Sequence, residues 1–560
     1  MISRWHGLGN GLEERWMSSR LARRTGERYE NRPRRKSEET KVNLGFSRYV
    51  RPTPALTIPL LLALIGCAGR GPMMFPATPQ TVVQRSDGRT ERHYDTDRDG
   101  RVDFHEVLSS DGRVSVLRYD LDGDEKIDLE VDRAVAAASD DVRHLIILLD
   151  SVPFELVREA WERGRFRLFH PPSRVISPFP VMTDLCLSEF FGVSPSPGVE
   201  SEYYDGRRLV SGYNGYVHGV NAHWLNCVDY HLPWIAHAFA YRKPHPWFDH
   251  ELGRIQQYFH ARGRGDFVGY VVGTSALGIR FGRNGHDAAL VRLDRTCQQI
   301  MHKMRGRVQI TLLSDHGHIL MKSRRLPLSA ELTRRGYRVT TRLQRPDDVV
   351  VPEFGAVNCA AIYTSSPATV ARDVVGVEGI DLTAYCDGGD GVIVLSRNGR
   401  ARISKSEHRY RYVAERGDPL QLAPVLERLA GQGKVDRDGF VDSETWFEAT
   451  VDHVYPDATH RLWRAFHGLV EYTPDVLVSV EDGWHCGSAA LSNMLEMAAV
   501  HGSLNDLSSS AFVMSTVAGL PRVTRMQDLA ENLRQLGVPV PRANRVPADS
   551  LASTSPQRGR

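Results

Sequence analysis

An α/β fold is predicted: a large, mostly parallel sheet sandwiched by helices, with an inserted α+β subdomain and a small N-terminal module. Three observations predict it. From about residue 140, short apolar runs alternate with helical stretches, the pattern of strands joined by crossover helices. His144-Leu-Ile-Ile-Leu-Leu149 and Arg307-Val-Gln-Ile-Thr-Leu-Leu313 are apolar almost throughout, as strands buried on both faces must be. The first ends in Asp150 and the second in Ser314-Asp315-His316-Gly317, so acidic and imidazole groups fall at the carboxyl ends of strands, where parallel sheets place their ligands.

Composition excludes other classes. The 560 residues are 41% apolar and 25% charged, the balance of a globular chain. A net charge of +3 provides no basic field, so no nucleic-acid partner is expected. The longest apolar run, Ala55 to Ile65, falls well short of the roughly 20 residues needed to cross a bilayer, which excludes a polytopic membrane protein.

Residues 1–67 read as a non-structural leader. Residues 1–50 hold twelve Lys/Arg and six Asp/Glu with no apolar period. Arg48 and Arg51, the apolar run, and then Gly66-Cys67-Ala68-Gly69 follow the order of a secretory signal. Leu64-Ile65-Gly66-Cys67 resembles a bacterial lipobox. The resemblance implies that Cys67 is lipidated and tethers an exported chain to a membrane of the cell envelope, on the periplasmic or outer side. An ordinary signal with a coincidental Cys, or a short buried helix, stays open. The polar stretch ahead of the run points to a start nearer Val42.

Residues 68–137 carry two acidic repeats. Asp95-Thr-Asp97-Arg-Asp99-Gly100-Arg101-Val102-Asp103-Phe-His-Glu106 matches the spacing of an EF-hand calcium loop. Oxygens stand at positions 1, 3, 5, 9 and 12, the Arg101 carbonyl falls at position 7, and Gly100 allows the turn. A second copy begins 25 residues later with Asp120, Asp122, Asp124 and Asp128, but has Glu125 where Gly is expected and Val131 at position 12. Arg89–Tyr94 and Val114–Tyr119 alternate like strands, so the module is expected to resemble short extracellular calcium repeats. Acidic solvated loops that bind nothing are the alternative.

Four motifs of the body occur in a recognisable order. They are the strand ending in Asp150, Phe179-Pro180-Val-Met-Thr183-Asp184, Ser314-Asp315-His316-Gly317, and His501-Gly502-Ser503-Leu504-Asn505. In order and spacing they resemble the alkaline phosphatase superfamily, especially its nucleotide pyrophosphatase/phosphodiesterase branch, over about residues 140–540. The resemblance implies a divalent transition metal such as zinc or manganese held by Asp150, Asp315 and His316, with Thr183 as the nucleophile on a phosphate or sulfate ester. It also implies a second metal on an Asp-x-x-x-His pair plus His501. In the expected place, after Phe267-Val-Gly-Tyr-Val-Val272, the chain reads Thr274-Ser275-Ala-Leu-Gly-Ile279, with Ser275 for Asp and Ile279 for His. Two readings follow. One is a single-metal enzyme, with the ion bound by Asp150, Thr183, Asp315 and His316 as in the lipoteichoic acid synthase and sulfatase branches, and with His501 contacting a substrate oxygen or protonating the leaving group. The other is a fold that has lost catalysis and serves as a calcium-binding scaffold.

The remaining signals are weaker. His218, His223, His231, His237, His245, His250 and His260 are interleaved with Trp, Tyr and Pro and read mainly as packing residues. His318 and His485 read the same way. Cys186, Cys227, Cys297, Cys359, Cys386 and Cys486 allow up to three disulfides or a set of buried thiols. Residues 320–475 are expected to form the insertion, with Asn398-Gly399 turning a hairpin through positive φ angles. Asp436 to Glu444 reads as a turn, and 541–560 as a disordered tail.

Overall fold

A computed structural model describes residues 74–542, apart from 214–215, 217–221 and 390. Cys67, the leader, His218 and residues 543–560 lie outside the described residues.

The described residues open with a five-stranded antiparallel meander: Thr81–Gln84, Thr90–Tyr94, Phe104–Leu108, Val114–Tyr119 and Leu129–Asp132. Alternation along each strand sends one set of side chains inward. Phe104 and Tyr119 pack on His302, with ring centroids 4.8 and 5.3 Å apart, and the Tyr119 hydroxyl donates to the His302 carbonyl at 3.3 Å. His302 belongs to the helix Arg283–Lys303, which also covers the main sheet, so meander and body share one apolar core.

The main sheet has six strands in the order Phe267–Val271, Arg143–Leu149, Val308–Ser314, Ser510–Ser515, Ser173–Ile176, Val523–Arg525. Only Ser510–Ser515 runs against the others. Leu145, Ile147 and Leu149 face a core with helices Pro244–Ala261 and Arg283–Lys303. Ile146 and Leu148 face the opposite core, with Thr183–Phe191 and Met526–Gln535. Helices therefore cover both faces, which explains the unbroken apolar sequence of the central strand.

The insertion builds a second sheet of nine strands, from Arg338–Val339 through Cys359–Thr364, Val476–Val480 and Ile380–Cys386 to Val441–Asp442. All its pairings are antiparallel except the first. Val476–Val480 sits mid-sheet between Cys359–Thr364 and Ile380–Cys386, so this sheet extends past the expected boundary at 475. Gly391–Ser396 and Gly399–Ser406 form the expected hairpin with Arg397 and Asn398 in the turn, yet neither Asn398 nor Gly399 takes a positive φ. Asp436 accepts the N–H groups of Asp438 and Phe440 in a turn, and Asp442 caps the helix Ser443–Thr450. The six cysteines are unpaired; Cys186, Cys297, Cys359 and Cys486 are buried, so the disulfide option is not realised among the described residues.

Candidate active site and ion-binding loops

Asp150 and Asp315 follow adjacent parallel strands in register, Leu149 beside Ser314, which sets the two carboxylates side by side. Asp150, Asp315 and His316 are buried and offer ligand atoms within 4.8 Å of one another. Asp150 is held at both oxygens: Ser151 Oγ donates to Oδ1 at 2.5 Å and the Tyr270 hydroxyl to Oδ2 at 2.6 Å. Ser151, with φ of 63°, turns its N–H to Asp315 Oδ1 at 2.9 Å, and the His316 N–H reaches the same oxygen at 2.8 Å. Asp315 Oδ2 is buried with no hydrogen bond of its own and lies 3.4 Å from His316 Nε2.

The protonation of His316 follows from its neighbour. Its Nδ1 is 3.0 Å from the Gly317 carbonyl, an oxygen that can only accept, so Nδ1 carries the proton and Nε2 is bare. Two lone-pair atoms, Nε2 and Asp315 Oδ2, thus face each other in a dry site, an arrangement that costs free energy unless a cation or a proton lies between them. Burial, reinforced by the neighbouring Asp150, pushes the Asp315 carboxyl well above the usual range. Orphaned oxygen, bare nitrogen and second carboxylate form a donor set that fits one divalent transition ion.

Thr183 is the first residue of the helix Thr183–Phe191, and its Oγ1 lies 3.3 Å from His316 Nε2. The turn before it is clamped by the late loop: Val181 N–H donates to the Gly502 carbonyl at 3.1 Å, and His501 Nδ1 donates to the Val181 carbonyl at 2.9 Å. Gly502, at φ of 129°, passes so close to Cys359 that a Cβ there would lie 2.9 Å from its sulfur. The His501 ring stacks on His316 with centroids 4.2 Å apart. Its Nε2 is therefore also bare, and burial together with His316 pushes its pKa down to about 4. With Nδ1 donating to Val181, His501 as placed offers substrate a lone pair at Nε2, which fits contact with a substrate hydroxyl better than protonation of a leaving group.

The place expected for a second metal is filled otherwise. Ser275 and Ile279 lie one turn apart on the helix Gly273–Phe281. Ser275 Oγ is 3.3 Å from Ser151 Oγ and 3.4 Å from the Tyr241 hydroxyl. Ile279 joins an apolar cluster with Ile319, Ala356, Met497 and Val500. Behind the helix, His286 Nε2 meets His318 Nδ1 at 3.0 Å; a Cβ on Gly278 would come within 2.3 Å of the first and 2.6 Å of the second. Burial depresses the pKa of both imidazoles, that of His286 to about 4. Of the other histidines, His237 bonds the Tyr216 hydroxyl at 2.8 Å, and His485 is bound by Ser323 and Ser492. Tyr270, Tyr241 and His286 were missed by sequence reasoning; only Tyr270 carried a signal, at the end of an apolar strand.

Glu251 supports the site from below. It is fully buried, accepts the N–H groups of Val272 and Gly273 at 3.0 and 2.8 Å, and so secures the start of the helix bearing Ser275. Burial pushes its pKa from 4.5 up to about 8 despite those donors, and Glu189 and Glu200 rise to about 7. Between the unfolded and folded values the native state holds more protons, so this stabilisation is complete below about pH 4.5 and lost as pH rises through about 8. The depressed histidines act oppositely, but only below their unfolded value of 6.5. The melting temperature of the metal-free chain is expected to fall between pH 6.5 and 8.5, and Glu251→Gln should reduce that fall; thermal scans against pH check both.

The two N-terminal loops are built alike. Asp95 accepts the N–H groups of Arg98 and Gly100 at 2.6 and 2.9 Å; Asp120 accepts those of Gly123 and Glu125, each at 2.8 Å. Asp97 and Asp99 accept from Asp99 and Arg101 just as Asp122 and Asp124 accept from Asp124 and Lys126. Asp103 and Asp128 close the loops on the N–H groups of Thr96 and Leu121. Glu125 takes φ of 66° where Gly100 takes 96°, so the substitution alters the residue and not the turn. Ligand atoms of Asp95, Asp97 and Asp99 converge within 4.8 Å, as do those of Asp120, Asp122 and Asp128. The Arg101 guanidinium links the loops by donating to the Gly123 carbonyl at 3.1 Å.

Glu106 is a correction. The chain leaves the loop as a strand, and pairing of Tyr94 with Phe104 turns Glu106 into the core, where it accepts the Tyr94 hydroxyl at 3.1 Å. Burial raises its pKa to about 7. The strand Phe104–Leu108 that follows the loop directs Glu106 into the core, away from the oxygens of Asp95, Asp97 and Asp99.

No family model and no curated protein matches the chain. Among solved structures, human ectonucleotide pyrophosphatase/phosphodiesterase 5 is similar at a TM-score of 0.40 and 10% identity, covering 71% of this chain and 96% of that one. The murine protein is similar at a TM-score of 0.37 and 10% identity over the same shares. Its inactive variant in complex with AMP is similar at 0.37 and 11% identity, again over 71% of this chain and 96% of that one.

Proposed function

We propose that this chain is an exported, membrane-tethered hydrolase of phosphate or sulfate esters, phosphodiesterase-like, working around a single divalent transition metal. The observation that carries the reading is the facing pair of Asp315 Oδ2 and bare His316 Nε2, beside Asp150 and next to the Thr183 hydroxyl. Asp150, Asp315 and His316 would hold the metal; when bound, it supplies charge that favours the ionised Thr183 oxygen and polarises the ester. The chain's own residues do the rest. Ser151 and Tyr270 orient Asp150, the Gly317 carbonyl fixes the His316 tautomer, and the 501–502 loop holds Val181 in the turn before Thr183. Bare His501 Nε2 would accept a hydrogen bond from a substrate hydroxyl or a water. Elemental analysis beside a screen of aromatic phosphate monoesters, diesters and sulfate esters tests the reading, and a chain that takes up no transition metal would sink it.

A second reading, a catalytically inactive scaffold, is favoured by the apolar wall around Ile279, which removes one metal of the two-metal arrangement. It predicts no turnover of any ester even with a metal bound.

The acidic loops are proposed to bind calcium through Asp95, Asp97, Asp99 and Asp120, Asp122, Asp128, with the Arg101 carbonyl completing the first. Glu106→Gln is expected to leave calcium binding within about threefold of the parent, whereas Asp95→Ala should weaken the first site by a factor of at least ~10. Calorimetric titration measures both, and equal losses would restore Glu106 as a ligand. The tether is proposed to be lipid on Cys67, read by whether Cys67→Ser moves the chain from membrane to soluble fractions.

A further inference from the structure

On the outer face of the meander, Glu91 and His93 stand two residues apart on the strand Thr90–Tyr94, and His105 lies directly across from His93 on Phe104–Leu108. Glu91 Oε1 is hydrogen-bonded to His105 Nδ1 at 2.9 Å and lies 3.8 Å from His93 Nε2, and each of the three residues offers a ligand atom within 4.8 Å of the others. The imidazole rings face each other with centroids 4.2 Å apart. We propose that Glu91, His93 and His105 form a second transition-metal site, for an ion of the zinc class, separate from the body site and from the acidic loops.

Geometry and donor chemistry both point this way. Ligands about 2.1 Å from a tetrahedral ion stand roughly 3.4 Å from one another, and the observed 2.9 and 3.8 Å separations straddle that edge. Two imidazole nitrogens with one carboxylate oxygen suit a borderline-soft ion, whereas the neighbouring loops offer oxygen alone. The side chains of His93 and His105 are 21% and 18% exposed, which gives an ion an entry path and leaves room for a water as fourth ligand. Arg85 holds the other oxygen of Glu91 at 2.6 Å. Arg118 approaches both carboxylate oxygens, at 3.3 and 3.5 Å, while also bonding Glu130. These guanidiniums keep Glu91 ionised and oriented, and they repel a dication. Binding therefore rests on the imidazoles, which excludes calcium and magnesium as occupants.

The test uses the full chain, stripped with a chelator, saturated with calcium and titrated with zinc. Asp315→Asn combined with His316→Ala is expected to retain one zinc per chain, and adding His93→Gln and His105→Gln should abolish it while the far-UV spectrum is unchanged. Zinc should also protect His93 and His105 of the unaltered chain from carbethoxylation, read by mass spectrometry, an answer that needs no substitution. No zinc in the first variant, retention after the histidine changes, or unprotected histidines would each overturn the proposal. One zinc in the unaltered chain, lost with the His93 and His105 changes but kept with Asp315→Asn, would uphold it and remove the body metal instead.

Discussion

Thr183→Ala is expected to lower the proposed ester hydrolysis by at least ~10³-fold while the chain still folds and its transition-metal uptake is unchanged. The side chain is half-buried at the start of its helix, and its hydroxyl lies 3.3 Å from His316 Nε2 and close to the Asp315 carboxyl. Deleting it removes one hydrogen bond, worth about 1 kcal/mol, and opens no large cavity. Asp150, Asp315 and His316 would still offer their ligand atoms, so metal content is not expected to change. Thr183→Ser restores the oxygen and should return activity to within about tenfold of the parent. Assay of a chromogenic phosphate diester with metal counted in parallel gives the answer, and an active alanine variant would place the nucleophile elsewhere.

Asp315→Asn is expected to abolish metal uptake at the Asp150–Asp315–His316 group, and with it activity, without lowering the stability of the metal-free protein. Asparagine keeps an oxygen for the N–H groups of Ser151 and His316 and relieves the unfavourable burial of a carboxylate beside Asp150. Because the folded pKa is raised, the wild-type metal-free chain loses stability as pH rises, so the variant should melt at or above it at pH 8.5. Asp315→Ala should behave differently. It leaves two buried N–H groups without an acceptor, at about 1–3 kcal/mol each, and is expected to melt lower. Thermal scans of the three chains separate the ligand role of this residue from its structural one.

Much of the body was legible because its signals are local. Continuous apolar strands with polar ends reveal a sheet covered on both faces, and the strand-end rule then puts Asp150 beside Asp315. Illegible parts depend on the approach of distant segments. The nine-stranded sheet pairs Val476–Val480 with strands more than 90 residues earlier in the chain, as the register of Cys359 with Ser479 shows. Glu251, Tyr241 and His286 acquire their roles only when helices close on the site. Glu106 was misassigned for a related reason: its spacing fits a calcium loop, but pairing of Phe104–Leu108 with Thr90–Tyr94 sends its side chain into the core.

The core shared by the meander and the helix Arg283–Lys303 has a practical consequence for handling the protein. A truncated version starting near residue 140, where the strand-and-helix pattern begins, would strip Phe75, Phe104, Leu117 and Tyr119 from their packing and uncover the apolar side of that helix. Such a patch invites aggregation, so poor solubility of a shortened version would report an exposed seam and not a faulty fold. The smallest self-sufficient unit therefore starts at or before Phe75, and the meander that carries the acidic loops travels with the α/β body through their shared core.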